Sequence, residues 1–161
     1  MNVVVASPLM SSPGRFGFLM GLYAENYERL ARLFDPQRLQ VGSYVSCVGD
    51  GLDVHLRIQE RHPYTLELEL TYGFVDAHTG RRAPSAQLRV YTDARQAEVL
   101  HCHPGRHLWQ VLGPFPPARS VLQYRLRMNS FLSRWLEYLR EQGHGIDTLG
   151  DADGLRRSRR R

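Results

Sequence analysis

The sequence contains no lysine: all 21 basic residues are arginine, and they stand against 16 acidic residues. Five of these arginines lie between Leu155 and Arg161, where no acidic residue occurs. The remaining 16 arginines balance the 16 acidic residues, so the body of the protein is formally neutral. A neutral body gives no electrostatic support for a broad nucleic-acid surface. We therefore assign the basic character to the tail alone.

Cysteines and long apolar runs are also scarce. Two cysteines, Cys47 and Cys102, are too few for a disulfide framework and could pair only if their strands were neighbours. No apolar run approaches the ~20 residues that a membrane-spanning helix needs. The sequence has no phosphate-binding loop, dinucleotide-binding glycine motif or nucleophile elbow. We therefore expect a soluble cytoplasmic protein without a cofactor and without membrane contact.

A length of 161 residues suits a single domain with tails. The start of the chain is rich in Ser, Pro and Gly, which predicts a flexible extension over residues 1–16. The end of the chain is polar and basic, which predicts a disordered Arg-rich tail over residues 145–161. One domain then spans residues 17–144.

Apolar and polar residues alternate through the middle of the chain, from Leu52 to Asp93. A period of two is typical of strands that have one buried and one solvated face. The predicted strands are Val41–Val48, Leu52–Gln59, Thr65–Phe74, Ala86–Thr92 and Ala97–Cys102, with Leu108–Leu112 as a candidate sixth. Short connections join the five successive strands, which predicts an antiparallel meander.

Two helices are predicted to flank the strands, at Phe18–Phe34 and at Ser120–Gln142. Both carry apolar residues at intervals of three and four, and Asp35-Pro36 ends the first helix. The apolar arc of the second helix is wider than one sheet requires, so we expect it to meet the first helix or a second subunit. The predicted fold class is α+β: an antiparallel five- or six-stranded meander with the N- and C-terminal helices packed on one face.

Asn26 and Asn129 each fall inside an apolar helix stripe. A buried amide must find hydrogen-bond partners or it costs roughly 1–3 kcal/mol. We expect the two helices to pack together with these amides fixing their register. Contact with a ligand is the alternative role for both amides.

The open face of the predicted sheet gathers polar side chains. The candidates for contact with a partner on this face are His55, Arg57, Glu67, Glu69, Arg89 and Tyr91. Glutamates beside arginines and a histidine could form an acid/base or anion-binding site. Opposite charges facing each other across strands also stabilise any solvated sheet, by about a few tenths of a kcal/mol per pair. A concave pocket would favour the first interpretation, and a flat salt-bridged sheet the second.

Three histidines and the tail arginines are weaker candidates. His101, His103 and His107 form the nearest approach to a metal cluster, but their spacing fits no standard zinc signature. We therefore predict a polar strand end and no metal site there. The tail arginines could bind the phosphates of a nucleic acid: Arg156, Arg157, Arg159, Arg160 and Arg161.

Three segments carry a resemblance to a known family. They are Asn26-Tyr27 with Leu30 and Leu33, Arg89-Val90-Tyr91-Thr92-Asp93-Ala94 with Ala97-Glu98-Val99, and Asn129-Ser130-Phe131-Leu132 with Trp135-Leu136. Their order and spacing from Leu22 to Gly143 resemble the YqiB-like proteins, an uncharacterised bacterial family carried as a domain of unknown function. The resemblance implies a small cytoplasmic bacterial protein and brings no catalytic residue. The chain departs from the family at Gln123-Tyr124-Arg125, where an acidic-acidic-lysine run is usual.

The sequence favours a non-enzymatic binding or adaptor domain for a protein partner or a small ligand, and a homodimer is one form that this could take. The neutral body, the missing catalytic motifs and the wide apolar arc motivate this prediction. One alternative is an enzyme that acts on a small ligand at the open sheet face. Another is association with nucleic acid through the arginine tail.

Overall fold

The structure is a computed structural model that describes residues 14–49, 52–75, 77, 78, 80, 82–103 and 113–154. Its elements are helix α1 (Arg15–Phe34), strands β1 (Gly42–Ser46), β2 (Val54–Arg61), β3 (Thr65–Val75), β4 (Arg82–Tyr91) and β5 (Gln96–His103), helix α2 (Ala118–Glu141) and strand β6 (Leu149–Asp151). Short 3-10 turns occupy Pro36–Arg38 and Ile146–Thr148.

All six strands form one antiparallel sheet in the order β5-β4-β3-β2-β1-β6. The α+β fold and the meander of five successive strands are therefore confirmed. The sixth strand, β6, pairs with β1 and comes from a segment for which the sequence predicted no regular structure. The candidate strand Leu108–Leu112 lies outside the described residues.

The core lies between the sheet and the two helices. Alternate residues of β2 to β5 are buried on the helix side, including Val54, Leu56, Ile58, Leu66, Leu68, Leu70, Ala86, Leu88, Val90, Ala97 and Val99. Leu30, Leu33, Leu132, Leu136 and Leu139 meet them from the helices. Each fully buried leucine contributes roughly 1.5–3 kcal/mol, so a one-residue slip of any strand would be costly.

Helix α1 ends where the sequence predicts. Asp35 adopts a left-handed backbone with φ of 44°, and its N–H donates to the carbonyl of Ala31. Pro36 follows and cannot continue the helix. The helix begins at Arg15, three residues before the predicted Phe18.

Helix α2 packs against both the sheet and α1, which accounts for most of its wide apolar arc. The two helices run in the same direction, since Asn26 contacts Asn129 and Arg29, one turn later, contacts Glu137. Tyr138 remains exposed. No helix in the described part of the chain has the length and apolarity to cross a membrane.

Neither Cys47 nor Cys102 forms a disulfide. Cys47 follows β1 and Cys102 lies on β5, and three strands separate β1 from β5 in the sheet. Burial raises the pKa of the Cys102 thiol to about 12, so this thiol is inert at neutral pH. The chain therefore depends on packing, and not on a disulfide, for its stability.

Candidate functional site

The strand register lines up opposite charges across the sheet face that points away from the helices. Glu67 on β3 lies directly opposite Arg89 on β4, and Arg89 lies directly opposite Glu98 on β5. Arg125 of α2 reaches round the edge of β5 to the same carboxylate. We call the four side chains that follow one another across the sheet, Glu67, Arg89, Glu98 and Arg125, the charge row.

Hydrogen bonds connect the charge row laterally. The Nε and Nη2 groups of Arg89 donate to Oε1 of Glu67 over 3.0 and 2.6 Å. Tyr91 donates its hydroxyl to Oε1 of Glu98 over 2.7 Å, and Nη1 of Arg125 donates to Oε2 of the same carboxylate over 3.4 Å. Every charged member of the row therefore has a neighbour of opposite sign.

Tyr91 is held in its neutral form. Burial raises the pKa of its hydroxyl, and the hydrogen bond to Glu98 raises that pKa further. Burial likewise raises the pKa of Tyr23, whose hydroxyl faces Arg125 from α1. Both hydroxyls are therefore neutral and not bases at neutral pH: Tyr91 donates to Glu98, and Tyr23 accepts from Arg125.

A second polar cluster lies beside the charge row. Oε1 of Glu69 accepts hydrogen bonds from the hydroxyls of Thr71 and Ser85 over 3.3 and 3.2 Å. The amides of Gln59 on β2 and Gln87 on β4 are hydrogen-bonded to each other across β3. The open face is thus a hydrogen-bonded array of charged and neutral groups.

The predicted residues of the open face divide into two sets. Glu67, Arg89 and Tyr91 converge in the network described above. His55 and Arg57 share the face but lie on β2, where they are opposite Thr71 and Glu69 of β3 and away from β4 and β5. Arg57 is exposed and forms no ion pair with a residue that the structure describes.

Asn26 and Asn129 are fully buried and lie apart from the open face. Nδ2 of Asn26 donates to the carbonyl of Asn129 over 3.2 Å. Oδ1 of Asn129 accepts the N–H of Val99 over 3.1 Å, and its Nδ2 donates to the carbonyl of Arg125 over 2.9 Å. Asn129 thus joins α1, α2 and the outer edge of β5.

This arrangement protects an edge of the sheet. An edge strand exposes unpaired N–H and C=O groups to which another chain can add. Asn129 occupies one such group on β5, and α2 lies alongside that strand. Both amides have no access to solvent, which favours the predicted structural role over contact with a ligand.

Two residues of the charge row, Glu98 and Arg125, were absent from the candidates chosen from the sequence. The place of Glu98 follows from the four-residue turn that joins β4 to β5, because this turn sets Arg89 opposite Glu98. A hairpin register of this kind could have been counted from the sequence. The approach of Arg125 could not, since it depends on where α2 crosses β5.

A serine and a histidine also meet, but in a sealed place. Oγ of Ser46 lies 2.8 Å from Nδ1 of His144 and 2.6 Å from Oγ1 of Thr148. Ser46 has no exposed surface and His144 is 3% exposed, so no substrate can reach the pair. The cluster fastens β1 to the segment after α2, which is the physical reason that β6 forms there.

The metal and tail candidates lie largely outside the described residues. No group of three metal-ligating side chains occurs in the part of the chain that the structure describes. His101 is half-buried on β5, while the side chain of His103 and the whole of His107 lie outside the description. The tail arginines Arg156, Arg157, Arg159, Arg160 and Arg161 lie outside it as well.

A pocket of about 270 Å³ lies between the exposed sides of α1 and α2. Arg29 lines this pocket and forms ion pairs with Glu25 and Glu137, which balance its charge. Arg32 and Arg140 lie in the last turns of their helices, where they offset the negative ends of the helix dipoles. The charged side chains that line this pocket therefore stabilise the two helices, and this role accounts for their presence.

The three segments that carry the family resemblance meet at one place. Asn26 from the first segment and Val99 from the second both contact Asn129 from the third. A profile of the family described as "Protein of unknown function (DUF1249)" matches residues 29–145. No curated protein and no solved structure matches the chain.

Proposed function

The chain belongs to the DUF1249 family of proteins of unknown function, and we propose that it is a non-enzymatic binding domain that recognises its partner through the open sheet face. The observation that carries this proposal is the hydrogen-bonded charge row. It presents fixed donors and acceptors on strands, which hold a recognition surface more rigidly than loops do.

The geometry of the face supports binding over catalysis. Glu67 accepts two hydrogen bonds from Arg89, and Glu98 accepts hydrogen bonds from Tyr91 and Arg125. A general base needs an oxygen free to take a proton from a substrate. Both oxygens of Glu98 are instead engaged by neighbours, and Glu67 is paired with Arg89 through its Oε1, so these carboxylates suit recognition.

The charge of the face argues against a nucleic-acid partner. Four glutamates, at positions 60, 67, 69 and 98, stand against three arginines, at positions 57, 89 and 125. Contact with a phosphate backbone relies on an excess of positive charge. We infer a partner that is itself polar and of mixed charge.

The edges of the sheet are poor sites for a partner strand, which leaves the open face as the binding surface. Asn129 takes the outward N–H of Val99 on β5, and β6 covers Tyr44 to Ser46 at the other edge. Addition of a partner strand is therefore impeded at β5, and the other edge is β6, whose three residues offer little to pair with. The narrower YqiB-like assignment and a bacterial cytoplasmic location belong to the proposal too, and they rest on the three sequence segments given above.

Site-specific photo-crosslinking tests the proposal in cells that make the protein. The crosslinking amino acid p-benzoylphenylalanine replaces Arg57, which is exposed on the open face, or Arg134, which is exposed on α2. Neither arginine forms an ion pair with a described residue, so the two replacements are matched. We expect a discrete crosslinked species from position 57 and none from position 134.

Two outcomes would contradict the proposal. The same species from both positions would place the partner elsewhere or indicate non-specific capture. A crosslinked species from position 134 alone would assign binding to the helix side of the molecule. Cell fractionation of the same cultures tests the cytoplasmic location.

A further inference from the structure

We propose that the partner of the open face is a second copy of this chain, bound face to face about a two-fold axis parallel to the strands. This inference rests on the proposed function and identifies its partner. It is carried by the order of charges in the charge row.

The row alternates in sign across neighbouring elements. Its order is negative, positive, negative, positive for Glu67, Arg89, Glu98 and Arg125. Neighbouring strands lie about 4.8 Å apart, so the three charges on strands repeat at about that spacing, and Arg125 continues the row from α2 through its contact with Glu98. Rows of this kind have a definite complement: the same row read in the opposite direction.

A two-fold axis produces that complement. When the axis runs along the strands between Arg89 and Glu98, Arg89 faces Glu98 of the second copy, and Glu67 faces Arg125 of the second copy. Each charge therefore meets one of opposite sign, as a self-complementary two-fold interface requires. An axis perpendicular to the strands would instead place like charges together, so the row also selects the orientation.

The row is accessible enough to make these contacts. The exposed fractions of the side chains are 38% for Arg89, 37% for Arg125 and 25% for Glu67. Glu98 is 14% exposed, and it is already engaged by Tyr91 and Arg125. No charge loses its lateral partner on association, which limits the cost of desolvation.

Groups beside the row also avoid conflict. In the flanking row Tyr91 would face Gln96 of the second copy, because these two residues lie opposite each other in the β4–β5 pair. Glu60 lies opposite Glu67 on β2, which borders the overlap of the two copies within reach of a crosslinker at position 57, and Glu60 pairs with His62 within its own chain. No pair of like charges is therefore created.

The size of the face sets the expected strength. Three strands and the flank of α2 span about 20 Å, and eight residues along a strand span about 26 Å, which gives about 500 Å² of flat surface. Stable complexes bury about 800 Å² on each partner. We therefore expect a reversible dimer that forms in the micromolar range and weakens as salt rises.

A charge-swap experiment tests the proposal on the full chain. The variant R89E/R125E makes the row wholly acidic, and the variant E67R/E98R makes it wholly basic. Sedimentation velocity should find each variant monomeric and the wild type in a concentration-dependent dimer. An equimolar mixture of the two variants should form a heterodimer, which native mass spectrometry identifies by its mass.

Controls separate the row from general charge effects and from loss of fold. R134E changes an exposed arginine of α2 and should leave the dimer intact. If either single-sign variant lacks the wild-type circular dichroism spectrum, R89Q/E98Q replaces it. That neutral variant should weaken the dimer about tenfold or more and reduce its dependence on salt.

Two results would overturn the inference. The first is a wild-type protein that stays monomeric up to its solubility limit. The second is a wild-type dimer that the row variants leave unchanged. If self-association fails while position 57 still crosslinks to another molecule, the proposed binding function stands with a different partner.

Discussion

Replacement of Asn129 with leucine tests the junction of α1, α2 and β5. The variant removes the oxygen that accepts the N–H of Val99, and it leaves that N–H buried without an acceptor. An orphaned buried donor costs about 1–3 kcal/mol, and the larger side chain adds about 1–3 kcal/mol of overpacking. We expect the free energy of unfolding to fall by about 2–4 kcal/mol.

Asn26→Leu is the matched control, because it makes the same change of side chain on the facing helix. Its Oδ1 atom is buried and has no hydrogen-bond partner among the described residues, so removing it relieves a cost. The carbonyl of Asn129 loses the donor Nδ2 of Asn26 but keeps its place in the backbone ladder of α2. We expect a loss smaller than that of Asn129→Leu by about 1 kcal/mol or more.

Urea denaturation measures both variants, and amide hydrogen exchange of Val99 reports on the contact itself. In the variant Asn129→Leu the Val99 amide should exchange faster relative to its neighbours on β5. Equal losses of stability in the two variants would show that the Val99–Asn129 hydrogen bond does not stabilise the fold. So would an unchanged exchange rate at Val99.

Three further predictions concern single residues. Tyr91→Phe should reduce the loss of stability at alkaline pH. The pKa of Tyr91 is raised in the folded protein, so its contribution to stability is present below pH 10.0 and is lost as the pH rises. An unchanged fall of the free energy of unfolding above pH 10.0, measured by urea titration, would contradict this. Cys102 should resist alkylation by iodoacetamide until the chain unfolds, because its pKa is about 12; rapid labelling of the native protein would contradict its burial. Arg95→Gly should leave the midpoint of thermal unfolding nearly unchanged, since it relieves a left-handed φ of 53° but removes the exposed ion pair with Glu28; a clear fall of the midpoint would show that the ion pair dominates.

The sequence predicts the elements whose side chains alternate or recur within a single segment. Strand β2 and helix α1 are of this kind, because the burial of Val54, Leu56 and Ile58 or of Leu30 and Leu33 follows directly from local periodicity. Strand β6 is different. It is held by contacts with Ser46 and β1 from far along the chain, and three residues carry no period of their own.

The candidate site shows the same division. The sequence predicts Glu67, Arg89 and Tyr91 because they occupy the alternate, polar positions of β3 and β4. It does not predict Arg125, because the approach of Arg125 to Glu98 depends on the crossing of α2 over β5. The amides Asn26 and Asn129 were recognised as exceptions within apolar stripes, but their partner, the N–H of Val99, required the tertiary structure.

Native mass spectrometry of freshly purified protein is the most direct test of the central claim that the open sheet face is the binding surface. The wild type and the variant R134E should carry a reproducible added mass, either a second copy or a bound molecule. R89Q/E98Q, folded by circular dichroism, should lose that mass. Retention of the added mass in R89Q/E98Q together with its loss in R134E would contradict the account and move the binding surface to the helices.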